Sequence, residues 1–403
     1  MASTVETAEN HTCPSCGGGA TTEIYALDAI PVQSCILLDT AQEAREFPRH
    51  PLKLRFCDDC GFIYNSVFDE KLVDYASTTE ESQHFSGTFN KFAKELVAEI
   101  AETYPLQGKQ ILEIGCGKGD FLRELCEHTG GIGLGVDPGF IPDRLPLTNG
   151  GEVAFQREYF DPATIRIRPD HVSCRHTLEH IGPVQQFIRD IRTVIGERRG
   201  PDGLLGVFFE TPGMTRILEE GAFWDIYFEH CSYFTEGAHA RLFRREGFDV
   251  TRLYMAYDNQ YIIQYADPVD GPTEPRFDIE RDLDKVRALA AAFPETIEKT
   301  RQYWKEFVES RAADGKRVAI WGGGSKGVSF VTSVDLGHAV HNVIDINPHK
   351  QGKYLPGTGH RVSAPAELKE TPPDTVIVMN PIYLPEIGRD LEAMGLSPEL
   401  VAV

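Results

Sequence analysis

The feature that most constrains this chain is a pattern that occurs twice. An apolar, strand-like run ends in a glycine-rich turn, the turn opens a helix, and the next apolar run ends in an aspartate. The first copy is Gln110-Ile-Leu-Glu-Ile114, Gly115-Cys-Gly-Lys-Gly119, a helix from Asp120 to His128, and Ile132-Gly-Leu-Gly-Val136 followed by Asp137. The second is Arg317-Val-Ala-Ile-Trp321, Gly322-Gly-Gly-Ser-Lys-Gly327, a helix start from Val328 to Ser333, and Val343-Ile344 followed by Asp345. Gly115, Lys118, Gly119 and Asp137 stand 208 positions before Gly323, Lys326, Gly327 and Asp345. Units of this kind build open, mostly parallel sheets with helices on both faces. The expected fold class is α/β, with two doubly wound units.

The rest of the chain divides around these units. Phe89, Phe92, Ala93, Leu96, Val97 and Ile100 recur at helical spacing, and Pro105 closes that helix. Further strands are expected at His171–Cys174, Leu204–Glu210, Phe248–Ala256 and Tyr261–Ala266, and at Thr375–Met379 in the second unit. Asp267 to Pro275 is rich in Pro, Gly and Asp and reads as a boundary. Residues 277–312 are charged helix formers, one or two helices. The 403 residues allow two or three domains, and the motif spacings select three. The expected division is a disordered tail over 1–12, a small zinc-binding domain over 13–85, a first Rossmann-like domain over 86–270, a helical connector over 271–312 and a second Rossmann-like domain over 313–403.

The zinc expectation comes from cysteine spacing. Four of the nine cysteines form two pairs, Cys13-Pro-Ser-Cys16 and Cys57-Asp-Asp-Cys60. Each pair makes a knuckle that presents two thiolates, and four thiolates complete a tetrahedral zinc shell with no position left for water. A redox site uses one such pair at a helix start, whereas here both pairs are followed by glycine, Gly17 and Gly61. A saturated site is structural: it staples a region with too little core to fold alone. The other five cysteines stand singly, and nothing in their spacing suggests a disulfide framework.

Charge narrows the partners. Forty Lys and Arg against 61 Asp and Glu give a net charge of −21, which argues against broad electrostatic capture of nucleic acid or anionic lipid. A small anionic ligand needs only a few local cations, such as Lys326 and Lys350. No run approaches the roughly 20 apolar residues of a membrane span. Met1 to Asn10 lacks the basic and apolar regions of a signal peptide. A cytoplasmic address is expected.

Two glycine turns and one polar cluster carry the chemistry. The glycines of Glu113-Ile-Gly115-Cys-Gly117-Lys-Gly119 let the backbone approach a ligand, and Asp137 suits the two hydroxyls of a ribose. Glu113 would repel a pyrophosphate but suits an amino group. The segment resembles motif I of the class I S-adenosylmethionine (SAM) methyltransferases. Gly322–Gly327 fits G-x-G-x-x-G with Asp345 beyond it, so an NAD site and a purely structural turn both stand open there. It is not a P-loop, because Val328 follows Gly327 where lysine is required. Lys326, Lys350 and Arg361 could bring positive charge to that turn. In Trp224-Asp-Ile-Tyr227-Phe-Glu229-His230-Cys-Ser-Tyr233-Phe234, a histidine beside a carboxylate in apolar company is a candidate general base. Tyr227 is a candidate donor to an oxyanion. Glu179-His180 follows the strand near Cys174, whose carboxyl end faces the ligand crevice. Cys231 is no partner for His230, because adjacent strand residues point apart.

Together these residues resemble the three-domain SAM-dependent C-methyltransferases, whose best-described members methylate deoxysugars carried on a nucleoside diphosphate. The resemblance runs through the paired cysteines, the segment around Tyr75 and His84, Glu113–Gly119, Leu178-Glu-His180, Tyr227–Phe234, Trp321–Gly327, Asp345–Gly352 and Pro356-Gly-Thr358. It implies a base that removes a proton α to a ketone, after which the enolate carbon attacks the SAM methyl in line. His230 matches the base, and Tyr227, Glu229, His180 and Tyr75 match positions around the reacting sugar. The resemblance assigns Glu113, Gly115, Cys116, Gly117, Gly119, Asp120, Asp137, Pro138 and His176 to the cofactor. It assigns His84, Lys326, Lys350 and Asn380 to the substrate, and Cys13, Cys16, Cys57 and Cys60 to zinc. The implied partner is a small molecule, nucleotide-linked; nucleic acid and membrane are not expected.

Two departures bear on the substrate. Members of the family read Tyr-His-Glu-His where this chain has Phe228, and a Gly-Gly-Ser-hydrophobic-Arg segment where it reads Asp258-Asn-Gln-Tyr261. Both are expected on the substrate side. Methylation of oxygen or nitrogen, an NAD-dependent oxidoreductase using the second turn, and a non-catalytic zinc-bearing interaction protein are the alternatives.

Overall fold

The structure is a computed structural model and describes residues 11–76, 79–142, 152–196 and 206–403. The tail expected over 1–12 lies almost wholly outside these residues, as do Leu204 and Leu205 of one expected strand, which is seen from Val207 to Pro212.

The first repeat builds a seven-stranded sheet. Its order is Phe248–Ala256, Tyr261–Pro268, Val207–Pro212, His171–Arg175, Gln110–Ile114, Ile132–Val136, Val153–Gln156. The last five are mutually parallel and the first two form an antiparallel hairpin at one side. His171–Arg175 and Gln110–Ile114 are almost entirely buried, because helices cover both faces of a parallel sheet. Helix Gly87–Thr103 buries Phe89, Ala93, Leu96, Val97 and Ile100. It is capped by Ser86, whose side chain accepts from the Phe89 N–H.

The second repeat builds a five-stranded, all-parallel sheet ordered Val362–Ser363, Asn342–Ile344, Val318–Trp321, Thr375–Val378, Glu399–Ala402. One helix, Leu283–Ala313, joins the two units despite Pro294 within it.

The N-terminal sheet is completed from far along the chain. Thr21–Pro31, Arg49–Cys57 and Ile63–Asn65 pair antiparallel, and the fourth strand is Ser232–Tyr233, with Ile63 opposite Tyr233 and Tyr64 opposite Ser232. This pairing pins the segment just after His230. A single apolar cluster then draws on Leu52 and Leu54 of this sheet, Phe223 and Phe228, Phe293 of the long helix, and Ile320 and Phe330 of the second repeat. Among the described residues no helix is long and apolar enough to cross a membrane.

Candidate active site

In each repeat the glycine turn lies at the carboxyl end of its strand, where the strand order reverses, the position that forms a crevice in doubly wound sheets. Gly115, Gly117 and Gly119 have φ of +70°, +53° and +84°, a region that strongly favours glycine. The Asp137 carboxylate closes the turn, accepting from the N–H groups of Gly117 (2.9 Å) and Gly139 (2.7 Å). Pro138 lies between Asp137 and Gly139, and Asp120 is the first residue of the following helix. Cys116 is buried, and burial pushes its thiol well above the ordinary range. Lys118 reaches the Gly139 carbonyl (3.0 Å) and Glu81 (3.1 Å), which ties segment 79–86 to the turn.

Glu113 sits beneath the turn, 2% exposed, with Oε2 unpartnered among the described residues. Burial pushes its carboxyl up to about 8, with Arg175 opposing. A buried acid with one oxygen unpartnered fits a ligand that brings a cationic amino group. His176 follows strand His171–Arg175 in the left-handed region, φ +47°. Its Nε2 is 2.9 Å from Glu210 Oε1 and its Nδ1 is 3.5 Å from Glu179 Oε1. Burial works against its charge, but Glu210 and Glu179 outweigh it and lift the ring to about 9.

The polar cluster lies beside this turn. The Tyr75 hydroxyl is 2.9 Å from His180 Nδ1 and donates to the Glu229 carbonyl at 3.3 Å; Nδ1 is 3.0 Å from the same carbonyl. A carbonyl only accepts, so a proton on Nδ1 satisfies it. The His230 ring packs edge-on to His180 (4.7 Å) and Tyr227 (4.6 Å). No hydrogen bond holds the His230 ring among the described residues, and burial, then the charges of His180, His176 and Lys326, drive its pKa well below 6.5. It is a neutral imidazole at pH 7. Burial keeps the Tyr75 and Tyr227 hydroxyls protonated. Tyr227 donates to Asp225 (3.2 Å).

Several expected residues sit otherwise than spacing suggested. The Glu229 carboxylate bonds to Ser34, through its N–H (2.9 Å) and its hydroxyl, and Ser34 Oγ is 2.7 Å from Ser325 Oγ at the second turn. Lys326 pairs with Asp225, which also pairs with Arg216, so its charge braces the approach to Tyr227. Lys350 remains at the second turn, 3.6 Å from Asp345. Arg361 pairs with Glu367 (2.7 Å). Asn380 is buried in a reciprocal amide pair with Gln260 (2.9 and 3.0 Å). His84 Nδ1 lies 3.0 Å from Asn90 Oδ1, leaving Nε2 for a ligand. Ser34, Arg175 and Glu210 were missed. Arg175 and Glu210 carried one legible sign: each is a charged residue within or ending an otherwise apolar run, and they pair in register.

The four paired cysteines meet. Cys13 and Cys60 Sγ are 3.7 Å apart, Cys16 and Cys57 Sγ 3.6 Å, and all four lie within 4.8 Å of one another. Bonds of 2.3 Å to a tetrahedral zinc require sulfur–sulfur edges of about 3.8 Å, so the set fits. The two knuckles match: Gly17 N–H donates to the Cys13 carbonyl and Gly61 N–H to the Cys57 carbonyl, both at 2.8 Å, with φ of +75° and +74°. That is why glycine follows both pairs.

Residues 85–253 match the family model of a methyltransferase domain, and residues 278–396 match that of a C-methyltransferase C-terminal domain. The C-methyltransferase NovU of Streptomyces niveus is 26% identical over 394 residues, 93% of this chain and 90% of that protein. The chain is a multidomain C-methyltransferase. The methyltransferase is SAM-dependent, and the second glycine turn lies within the residues that match a C-methyltransferase C-terminal domain. Two solved structures are similar over part of the chain. One is the 1,6-didemethyltoxoflavin-N1-methyltransferase of Burkholderia thailandensis with bound S-adenosylhomocysteine (16% identity, TM-score 0.35, 46% of this chain and 79% of that one). The other is the PH0226 protein of Pyrococcus horikoshii OT3 (14%, 0.34, 46% and 93%).

Of the two departures from the sugar-enzyme pattern, Phe228 faces elsewhere than expected, whereas the segment 258–261 sets Tyr261 against His176 (4.5 Å). Phe228 is fully buried and packs on His50 (5.2 Å) and Phe68 (5.6 Å) of the N-terminal part, not on the histidine pair. Gln260 serves the contact with Asn380, after a turn in which Tyr257, Asp258 and Asn259 all have φ above +50°. Phe228→His is therefore expected to cost about 3 kcal/mol of stability, read by denaturant unfolding, and to leave acceptor preference unchanged.

Proposed function

We propose that this methyltransferase adds a methyl to a carbon α to a ketone in a small metabolite, a deoxysugar carried on a nucleoside diphosphate, with His230 as the base. The observation that carries the reading is His230 itself: neutral, held by no hydrogen bond among the described residues, and flanked by His180 and Tyr227. A carbon beside a carbonyl is a poor nucleophile until deprotonated, so it needs a base and a donor for the developing oxyanion at once. The hydroxyls of Tyr227 and Tyr75 stay protonated and suit the donor role by turning from Asp225 and the Glu229 carbonyl to the oxyanion, and His180, beside the His230 ring, suits proton relay. Glu229 acts at one remove, by fixing Ser34 against the second turn.

SAM, when bound, supplies an electrophilic methyl on a positively charged sulfur. Glu113 suits its amino group and Asp137 its ribose hydroxyls, with Gly115, Cys116, Gly117, Gly119, Asp120, Pro138 and His176 lining that side. His84 and Lys350 are the residues proposed to reach the acceptor, whereas Lys326 and Asn380 hold the walls. The four-cysteine cluster is proposed to hold structural zinc.

The test is a panel of nucleoside-diphosphate-linked ketodeoxysugars incubated with SAM in deuterated buffer. The expected result is loss of α-hydrogen to solvent, by proton NMR, together with a product one methyl heavier. Complete retention of the α-hydrogens through turnover would point to methylation of oxygen or nitrogen instead.

A further inference from the structure

A buried charge network joins the cofactor turn to the histidine pair, and its centre is a residue with no assigned role. Glu210 ends the strand beside His171–Arg175 and is 0% exposed. Its Oε2 accepts from Arg175 Nε at 2.5 Å and its Oε1 lies 2.9 Å from His176 Nε2, while its backbone carbonyl accepts the His176 N–H at 2.9 Å. Residue 176 is thus held from both main chain and side chain, in a left-handed conformation that is uncommon outside glycine.

The residues after His176 make use of that conformation. Thr177 lies directly on the first glycine of the cofactor turn: a Cβ on Gly115 would come within 1.8 Å of Thr177 Oγ1. Thr177 Oγ1 donates to the Arg175 carbonyl at 3.0 Å. Two residues later Glu179 returns to the other side of the His176 ring, 3.5 Å away, and His180 comes next in the same short 3-10 turn. Arg175 stacks its guanidinium 3.9 Å above Phe121, on the helix that the cofactor turn opens.

We infer that Glu210 is a positioning residue for the cofactor site: gripping Arg175 and His176 together, it fixes the left-handed turn that seats Thr177 on Gly115 and carries Glu179 and His180. The carboxylate matters because it accepts from both neighbours. A glutamine has one acceptor and one donor end, so Glu210→Gln, with its oxygen on Arg175, turns a donor toward His176 and loses the charged hydrogen bond that grips that ring.

Calorimetric binding of S-adenosylhomocysteine tests this whatever the acceptor is, so its outcome is separate from that of the sugar assignment. Glu210→Gln is expected to weaken binding about tenfold, the worth of one hydrogen bond to a charged group. His176→Asn, which removes the ring but tolerates a left-handed backbone, is expected to weaken it equally. The double variant should be no weaker than either single one, because both changes break the same link. A residue that merely supports the core would instead give additive losses. Wild-type affinity in Glu210→Gln, or additive losses, overturns the inference. Should Glu210→Gln not fold, because Arg175 loses its charged partner, Glu210→Asp decides, since it keeps the buried charge beside Arg175 while its shorter reach lets go of His176. Wild-type affinity in that variant likewise overturns the inference.

Discussion

Replacing His230 with alanine is expected to lower methyl transfer by about a thousandfold while S-adenosylhomocysteine binds as in wild type. The physical reason is a division of labour within one crevice. The contacts that suit the cofactor, at Glu113, Asp137 and the three left-handed glycines, involve no atom of His230. His230 in turn is packed by rings and hydrogen-bonded by none of the described residues, so its removal opens space without breaking a network. Transfer of labelled methyl from SAM, run beside calorimetry, separates the two effects. Turnover within a few-fold of wild type would end the assignment of His230 as the base. The pH profile supplies a second sign. A base works in its neutral form, and burial holds the conjugate acid of His230 well below 6.5. The His230 contribution to the rate should therefore stay flat through neutral pH and fall only as acid protonates the ring.

The second large effect concerns the four cysteines. The protein is expected to carry one zinc per chain, and Cys57→Ser or a strong chelator is expected to lower its thermal midpoint by roughly 10 °C. The knuckles are built into the rest of the molecule. Arg241 donates to the Cys60 carbonyl (3.0 Å) and also binds Asp282 (2.9 Å), Arg245 donates to the Ser15 carbonyl (2.5 Å), and Arg287 donates to the Asp58 carbonyl (2.7 Å). Losing the cluster should therefore loosen the N-terminal sheet, and with it the pairing of Ile63 and Tyr64 to the strand just after His230. Elemental analysis and thermal unfolding with and without chelator check this. A metal-free protein with an unchanged midpoint would refute it.

Much of the first glycine turn, proposed to seat the cofactor, was legible in sequence because its geometry is local. A strand, a glycine turn and a helix occupy consecutive residues, so Glu113, Gly115, Gly117, Gly119 and Asp137 could be read in order, and each sits at the crevice. The CxxC pairs were legible for the same reason, since each knuckle closes within four residues. The acceptor side was harder. Lys326 and Asn380 looked like free polar groups beside a glycine turn, yet their partners, Asp225 and Gln260, come from more than a hundred residues away. Phe228 looked like a change in the site because it stands next to Glu229, but its ring points into the core against His50 and Phe68.

The sequence by itself determined the two α/β units, the first glycine turn and the meeting of the four cysteines, because backbone conformation and short spacings are set by neighbouring residues. Only the tertiary structure decided what His230 faces, that Ser34 takes the carboxylate of Glu229, and that Glu210 holds Arg175 and His176 at the cofactor turn. Those contacts depend on which strands lie side by side and which segment completes a sheet. Such choices are made by burial summed over the whole chain, and no single stretch of residues encodes them.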